Sequence, residues 1–129
     1  LIPKIYSWGL DSSVTMYSTE LDYFNYTYTF KGPGLLIANA AVWTDETYSY
    51  GTTVCTMYID DACVSSNVSS NMYSYDESSN NVELNAGCSF VWYFSDSNTH
   101  TLLLKAGSSK DGTKTLTRSI QGLFGLTAV

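Results

Sequence analysis

Val82-Glu83-Leu84-Asn85-Ala86-Gly87-Cys88-Ser89-Phe90-Val91-Trp92-Tyr93-Phe94 is the stretch on which the reading of this chain turns. Residues 82–84 alternate. Asn85-Ala86-Gly87 then predicts a tight break, because glycine takes the positive φ that other residues avoid and asparagine tolerates it. Residues 88–94 are apolar at nearly every position, rich in aromatics and too short to span a bilayer, which predicts a strand. Side chains alternate along a strand, so Cys88, Phe90, Trp92 and Phe94 share one face and Ser89, Val91 and Tyr93 the other. The first face suits the core of a sandwich. The second keeps Val91 and Tyr93, too apolar to be left in water, and predicts cover by another copy of the chain.

The 129 residues suffice for one domain with one core, and no linker divides them. Ser, Thr, Asn, Tyr and Val crowd the chain while Lys, Arg, Glu and Gln are scarce, a β rather than a helical composition. The formal net charge is −6, which disfavours a phosphate-backbone partner. No polybasic segment or 18-residue apolar run points to a membrane. The chain begins Leu1-Ile2-Pro3-Lys4, as a fragment or a processed product would.

Turn signals divide the rest into short strands. Residues 1–8 read as a first strand or the end of a connection from a preceding shaft, and residues 14–18 as the next strand. Residues 23–30 alternate, with Phe24, Tyr26, Tyr28 and Phe30 opposite Tyr23, Asn25, Thr27 and Thr29. Lys31-Gly32-Pro33-Gly34 is a turn, and residues 35–43 a strong strand. Residues 44–51 read as a loop. Residues 53–59 are a strand, Asp60-Asp61 a hairpin turn and residues 63–66 the return. Residues 67–81 read as a weak Ser/Asn-rich strand between loops, 95–98 as a turn, 99–106 as a strand, 107–113 as a polar loop and 116–126 as the closing strand. Eight to ten short antiparallel strands predict an all-β sandwich or barrel. Its expected core holds Leu36, Ala38, Ala40, Val42, Leu84, Phe90, Trp92, Leu102 and Leu104.

Three cysteines without CxxC spacing argue against a disulfide framework and a zinc site. A two-residue turn at Asp60-Asp61 pairs Tyr58 with Cys63 and sets Cys55 opposite Ser66, so Cys55 and Cys63 are not neighbours. All three read as small buried apolar residues of a protein made in a reducing cytosol.

The order of segments resembles the trimeric jelly-roll head shared by tumour necrosis factor and the globular complement-type domains. The resemblance rests on Tyr26–Phe30 before a glycine turn, the apolar strand from Leu35 to Val42, and the Val-x-x-x-Tyr-Ile-Asp of Val54–Asp60. Val-x-Leu-x-Ala-Gly leading into the aromatic strand and the ending from Ser119 to Leu126 complete it. These pieces cover most of residues 24–126. The resemblance implies a homotrimeric antiparallel jelly roll over residues 1–129, with Val91, Tyr93, Phe124 and Leu126 facing the axis. The chain lacks the disulfide and collagen-like lead-in of animal members, and its Ser/Asn/Tyr-rich loops are more like those of bacteriophage fibre and receptor-binding heads.

Chemistry is sparse. His100 is the sole histidine; Ser95, Asp96 and Asp111 are its conceivable triad partners, but no Gly-x-Ser-x-Gly elbow exists, and a half-exposed polar residue at a strand start is the simpler reading. The acidic pairs Asp45/Glu46, Asp60/Asp61 and Asp76/Glu77 read as solvated turn acids rather than a glycoside-cleaving pair or a calcium loop. Tyr48, Tyr50, Tyr73 and Tyr75 lie in the two most polar stretches, where tyrosine suits sugar or protein contacts. No metal or cofactor is expected. The sequence therefore predicts a non-enzymatic homotrimeric head of a virion appendage such as a phage fibre. Its expected ligand is a host-surface glycan or protein, with no nucleic-acid partner and no membrane insertion. A structural trimerisation or capping domain without ligand, or a carbohydrate-binding module of a larger enzyme, are the alternatives.

Overall fold

The computed structural model describes residues 4–8, 12–16, 22–44, 51–71, 85–109 and 112–124. They form β1 (Lys4–Trp8), β2 (Ser12–Met16), β3 (Asp22–Lys31), β4 (Gly34–Thr44), β5 (Gly51–Ile59), β6 (Ala62–Asn71), β7 (Asn85–Phe94), β8 (Thr99–Ser108) and β9 (Gly112–Phe124).

The pairing has a simple logic. β5 and β6 form a hairpin around Asp60-Asp61. Beyond it β4 pairs with β7, then β3 with β8, then β1 and β2 with β9. The described strands thus form an antiparallel ribbon folded back at Asp60-Asp61. Successive ribbon segments fall alternately into two sheets, ordered β1-β9-β4-β7 (with β2 also on β9) and β3-β8-β5-β6. Lateral seams between β4 and β9 and between β5 and β8 complete the sheets. This winding is that of a jelly roll.

Asp60 and Asp61 both have positive φ, 48° and 68°. That is the turn whose twist matches two paired strands, and aspartate tolerates it better than most residues. Tyr58 opposes Cys63 as expected, but Cys55 opposes Asn67 rather than Ser66. A bulge at Met57/Tyr58 adds one residue to β6 and shifts the register beyond it.

The core lies between the sheets. Leu36, Ala38, Ala40 and Val42 of β4 meet Cys55, Met57 and Ile59 of β5, Leu102, Leu104 and Ala106 of β8, and Leu116 and Ile120 of β9. The alternation in β3 holds: Phe24, Tyr26, Tyr28 and Phe30 pack on this core, while Asn25, Thr27 and Thr29 face solvent. Leu84 lies outside the described residues.

Several expectations need correction. Asn85-Ala86-Gly87 is no break: it opens β7, with Gly87 opposite Ala41. The apolar strand β4 needs a partner along its length, and that ladder outweighs local turn propensity. Strand β6 runs unbroken to Asn71, and the expected loop at 107–113 shrinks because β8 reaches Ser108 and β9 begins at Gly112. Trp92 shares the inward face with its partner Leu36 yet is 58% exposed, and Phe90 is only partly buried. β7 and β6 are the edge strands of their sheets. The positions of β6 opposite Met57, Cys55 and Thr53 are Ser65, Asn67 and Ser69, too small to roof a tryptophan. Phe124, expected at an axis, is 2% exposed and stacks on Phe30 at 4.9 Å. Cys63 is exposed, not buried.

The turn makes the fold testable. Asp61→Val places a β-branched residue at positive φ and should cost about 1–2 kcal/mol, read as a lower urea midpoint with an unchanged slope. Asp61→Gly should leave the midpoint at or above that of the parent chain.

Candidate functional site

Directly opposed residues of an antiparallel pair share a face. Leu35 opposes both Tyr93 and Leu123, and Ile37 opposes both Val91 and Gln121. Leu35, Ile37, Val91, Tyr93 and Leu123 therefore form one apolar patch on the outer face of the β1-β9-β4-β7 sheet. Val91 is 59% exposed and Tyr93 47% exposed, while Leu35, Ile37 and Leu123 are half-buried. Further along this face Asn39, Ala41, Gly87, Ser89, Thr117 and Ser119 line a shallow depression of about 370 Å³. Around the sheet edge Trp92 stacks on Phe90, ring centroids 6.4 Å apart.

A second cluster closes one end of the sandwich. Asp60 N–H donates to the Thr101 carbonyl at 3.0 Å, and Thr101 N–H donates to Asp60 Oδ1 at 2.9 Å. His100 Nδ1 meets Asp60 Oδ2 at 2.6 Å and Nε2 meets Asp96 Oδ1 at 2.7 Å. Both partners are carboxylates, so the ring satisfies both only as an imidazolium donating two N–H groups. Asn98 N–H also donates to Asp96 Oδ1 at 2.8 Å, and Gly32 N–H to the Asn98 carbonyl at 3.1 Å. The β3–β4, β5–β6 and β7–β8 turns are thereby tied together. Gly32 is required here, because a Cβ would overlap the Asp96 carbonyl. Beneath the clamp lie Phe94, 4.5 Å from the His100 ring, and Phe30, 5.1 Å from Phe94.

Burial opposes the charged form of His100, but hydrogen bonds to Asp60 and Asp96 outweigh it and raise its pKa. The His100 hydrogen bond, aided by Thr101 N–H, lowers the pKa of Asp60. Asp96 is lowered by His100 and then by Asn98 N–H. An imidazolium with both N–H groups engaged has no lone pair to take a serine proton, so the geometry is that of a clamp.

Two buried features lie deeper. The Arg118 guanidinium stacks over the Tyr26 ring at 3.3 Å, and its Nε and Nη1 find no hydrogen-bond partner among the described residues. The ring face takes the place of those partners. Burial raises the pKa of Tyr28 nearby, partly offset by the Arg118 charge. Cys55 and Cys88, on facing strands of opposite sheets, bring their Sγ atoms to 2.6 Å.

Of the residues named from sequence, Val91 and Tyr93 lie on the patch and Phe124 does not. Tyr48, Tyr50, Tyr73, Tyr75, Leu126 and Asp111 lie outside the described residues. Asp96 does meet His100, and Asp60, read only as a turn acid, meets it as well. Leu35, Ile37 and Leu123 escaped notice although each alternates with a core residue, which was the available signal. Among the described residues no group of three or more His, Cys, Asp or Glu is arranged to hold a metal ion.

No protein-family model matches the chain, and no curated protein does. The fold has a counterpart among solved structures. A chain in the structure of infectious bursal disease virus, Gx strain, superposes with a TM-score of 0.51 over 95% of this chain at 11% identity. The match covers 33% of that viral chain, so this chain spans about a third of its length. At that identity the likeness concerns the fold: an all-β sandwich of two antiparallel sheets like that of a virus protein.

The clamp predicts a pH profile. His100 holds its proton more tightly when folded, so its contribution is complete below its ordinary value of 6.5 and is lost as pH rises through the raised value. Asp60 and Asp96 contribute above 3.8 and lose their contribution as pH falls through their lowered values. The melting temperature should be highest between 3.8 and 6.5 and decline on both sides. His100→Gln should lower that maximum and flatten the alkaline decline, as calorimetry across pH would show.

Proposed function

We propose that this chain is a non-enzymatic jelly-roll head domain of a virion, assembled in three copies through the outer face of its β1-β9-β4-β7 sheet. The assembly carries its loops toward a host-surface glycan or protein. The observation that carries the reading is the patch of Leu35, Ile37, Val91, Tyr93 and Leu123 on a sheet whose other face is already packed on the core. Burying such a patch against copies of itself removes apolar area from water without a second partner. The likeness to a chain of a virus structure supports the virion setting. The tumour necrosis factor and phage-fibre resemblance supplies the threefold arrangement. Within it Leu123 replaces Phe124 as the β9 contribution, because Phe124 points inward.

Tyr48, Tyr50, Tyr73 and Tyr75, which lie outside the described residues, remain the proposed contact residues. Three copies of a weak site on one head raise avidity by about a hundredfold or more over one copy. A trimerisation or capping role without ligand is the second reading, favoured by the same patch and silent on the loops.

Light scattering coupled to size exclusion tests assembly. The parent chain should elute with three times the mass of one chain, and Val91→Asp combined with Tyr93→Ser as a single folded chain with an unchanged far-ultraviolet spectrum. A solitary parent chain at micromolar concentration would refute the assembly. Glycan arrays and host-cell adsorption then test the ligand: binding by the trimer, weakened about a hundredfold in the dissociated variant, supports recognition. Absence of binding favours the structural role.

A further inference from the structure

Cys55 lies on β5, in the interior of one sheet, and Cys88 on β7, at the edge of the other. They are 33 residues apart in sequence. Cys55 is fully buried and Cys88 is 9% exposed. A disulfide needs Cα atoms about 4.4–6.8 Å apart, closer than the mean spacing of about 10 Å between facing sheets, so two inward cysteines can meet only where little else lies between them. Here the surrounding positions are small. Cys88 opposes Ala40 on β4, and Cys55 opposes Ala106 on β8. Ala38 and Ala86 complete a zone without bulky side chains. The sheets approach there, and the two sulfurs meet at 2.6 Å with Cys55 Sγ also 3.9 Å from the Ala40 carbonyl.

Structural burial alone does not call for this arrangement. Two isolated thiols in a core are ordinary, but two thiols aimed at each other across the sheet interface are placed for bond formation. Cys63, the third thiol, is exposed on β6 and bonds locally to the Ser65 carbonyl. It belongs to neither partner.

We propose that Cys55 and Cys88 form an inter-sheet disulfide when the folded chain leaves a reducing compartment, stapling β5 to β7. The co-reactant is a low-molecular-weight disulfide of the glutathione class. One cysteine, as thiolate, attacks a sulfur of that disulfide, forming a mixed disulfide and expelling one small thiolate. The second cysteine, deprotonated in turn, attacks the protein sulfur of the mixed disulfide and expels the other. Two protein thiols and one small disulfide become one protein disulfide and two small thiols, with electrons and protons conserved. The second step is intramolecular between groups already in position, which favours ring closure over a stable mixed disulfide. The staple is independent of any ligand, and it locks the sheet carrying the apolar patch to the sheet carrying the β5–β6 turn.

The test uses the full chain equilibrated in glutathione buffers of increasing oxidising strength, quenched in acid, denatured, labelled with a thiol reagent and mapped by mass spectrometry. Cys55 and Cys88 should lose their labels together and yield one linked peptide pair, while the exposed Cys63 takes at most a reversible glutathione adduct and no link to either of them. The melting temperature should rise by roughly 10 °C, and excess dithiothreitol should reverse the rise. Cys63→Ser should behave in the same way, and Cys88→Ser should show no oxidant-dependent rise. If Cys88→Ser does not fold, the peptide map of the parent chain decides. Three labelled thiols at the most oxidising ratio, separate glutathione adducts on Cys55 and Cys88, or a linked pair without a rise in melting temperature would each overturn the proposal.

Discussion

Pairing of each strand with the one equally far from the Asp60-Asp61 turn is the constraint on which this molecule depends. It decides which segments become neighbours: β5 with β6, β4 with β7, β3 with β8, β1 and β2 with β9. Once the ribbon exists, its alternate segments can bury their apolar sides only against one another, and two packed sheets follow. The positive φ angles of Asp60 and Asp61 make the fold-back tight. The backbone and carboxylate of Asp60 bind Thr101 and His100 of β8, so the tip of the ribbon is fastened to a strand far along the chain.

The interior and the outer face obey the same alternation with opposite consequences. On β4, Leu36, Ala38, Ala40 and Val42 enter the core while Leu35 and Ile37 face outward beside Val91 and Tyr93. The proposed self-association would remove this outward patch from water. The end clamp and the patch then have separate duties. His100, Asp60 and Asp96 hold three turns in place, and the β4–β7–β9 surface presents an apolar patch with nothing packed on it among the described residues.

Much of this was legible from residues alone, for identifiable reasons. Asp60-Asp61 between apolar runs announced its hairpin, and the strict alternation of residues 24–30 announced a half-buried strand. Trp92 was misread because parity says which side a residue faces, not whether anything covers it; the small residues of β6 leave it open. Phe124 was expected on an outward face, but it is buried, one residue along β9 from the half-buried Leu123 that does share the outer face. Asn85-Ala86-Gly87 looked like a turn because local propensity cannot see the β4 partner. The Asp60–His100–Asp96 clamp and the Cys55–Cys88 pair join residues that only the winding brings together, and no local pattern marks them.

The winding is tested most directly by a nuclear magnetic resonance map of cross-strand backbone contacts in the labelled chain. Ala38 should contact both Phe90 and Ile120, Cys55 both Asn67 and Ala106, and Tyr28 should contact Leu102. A map in which β4 instead pairs with β3 or β5, as a simple up-and-down meander requires, would contradict the folded-ribbon account.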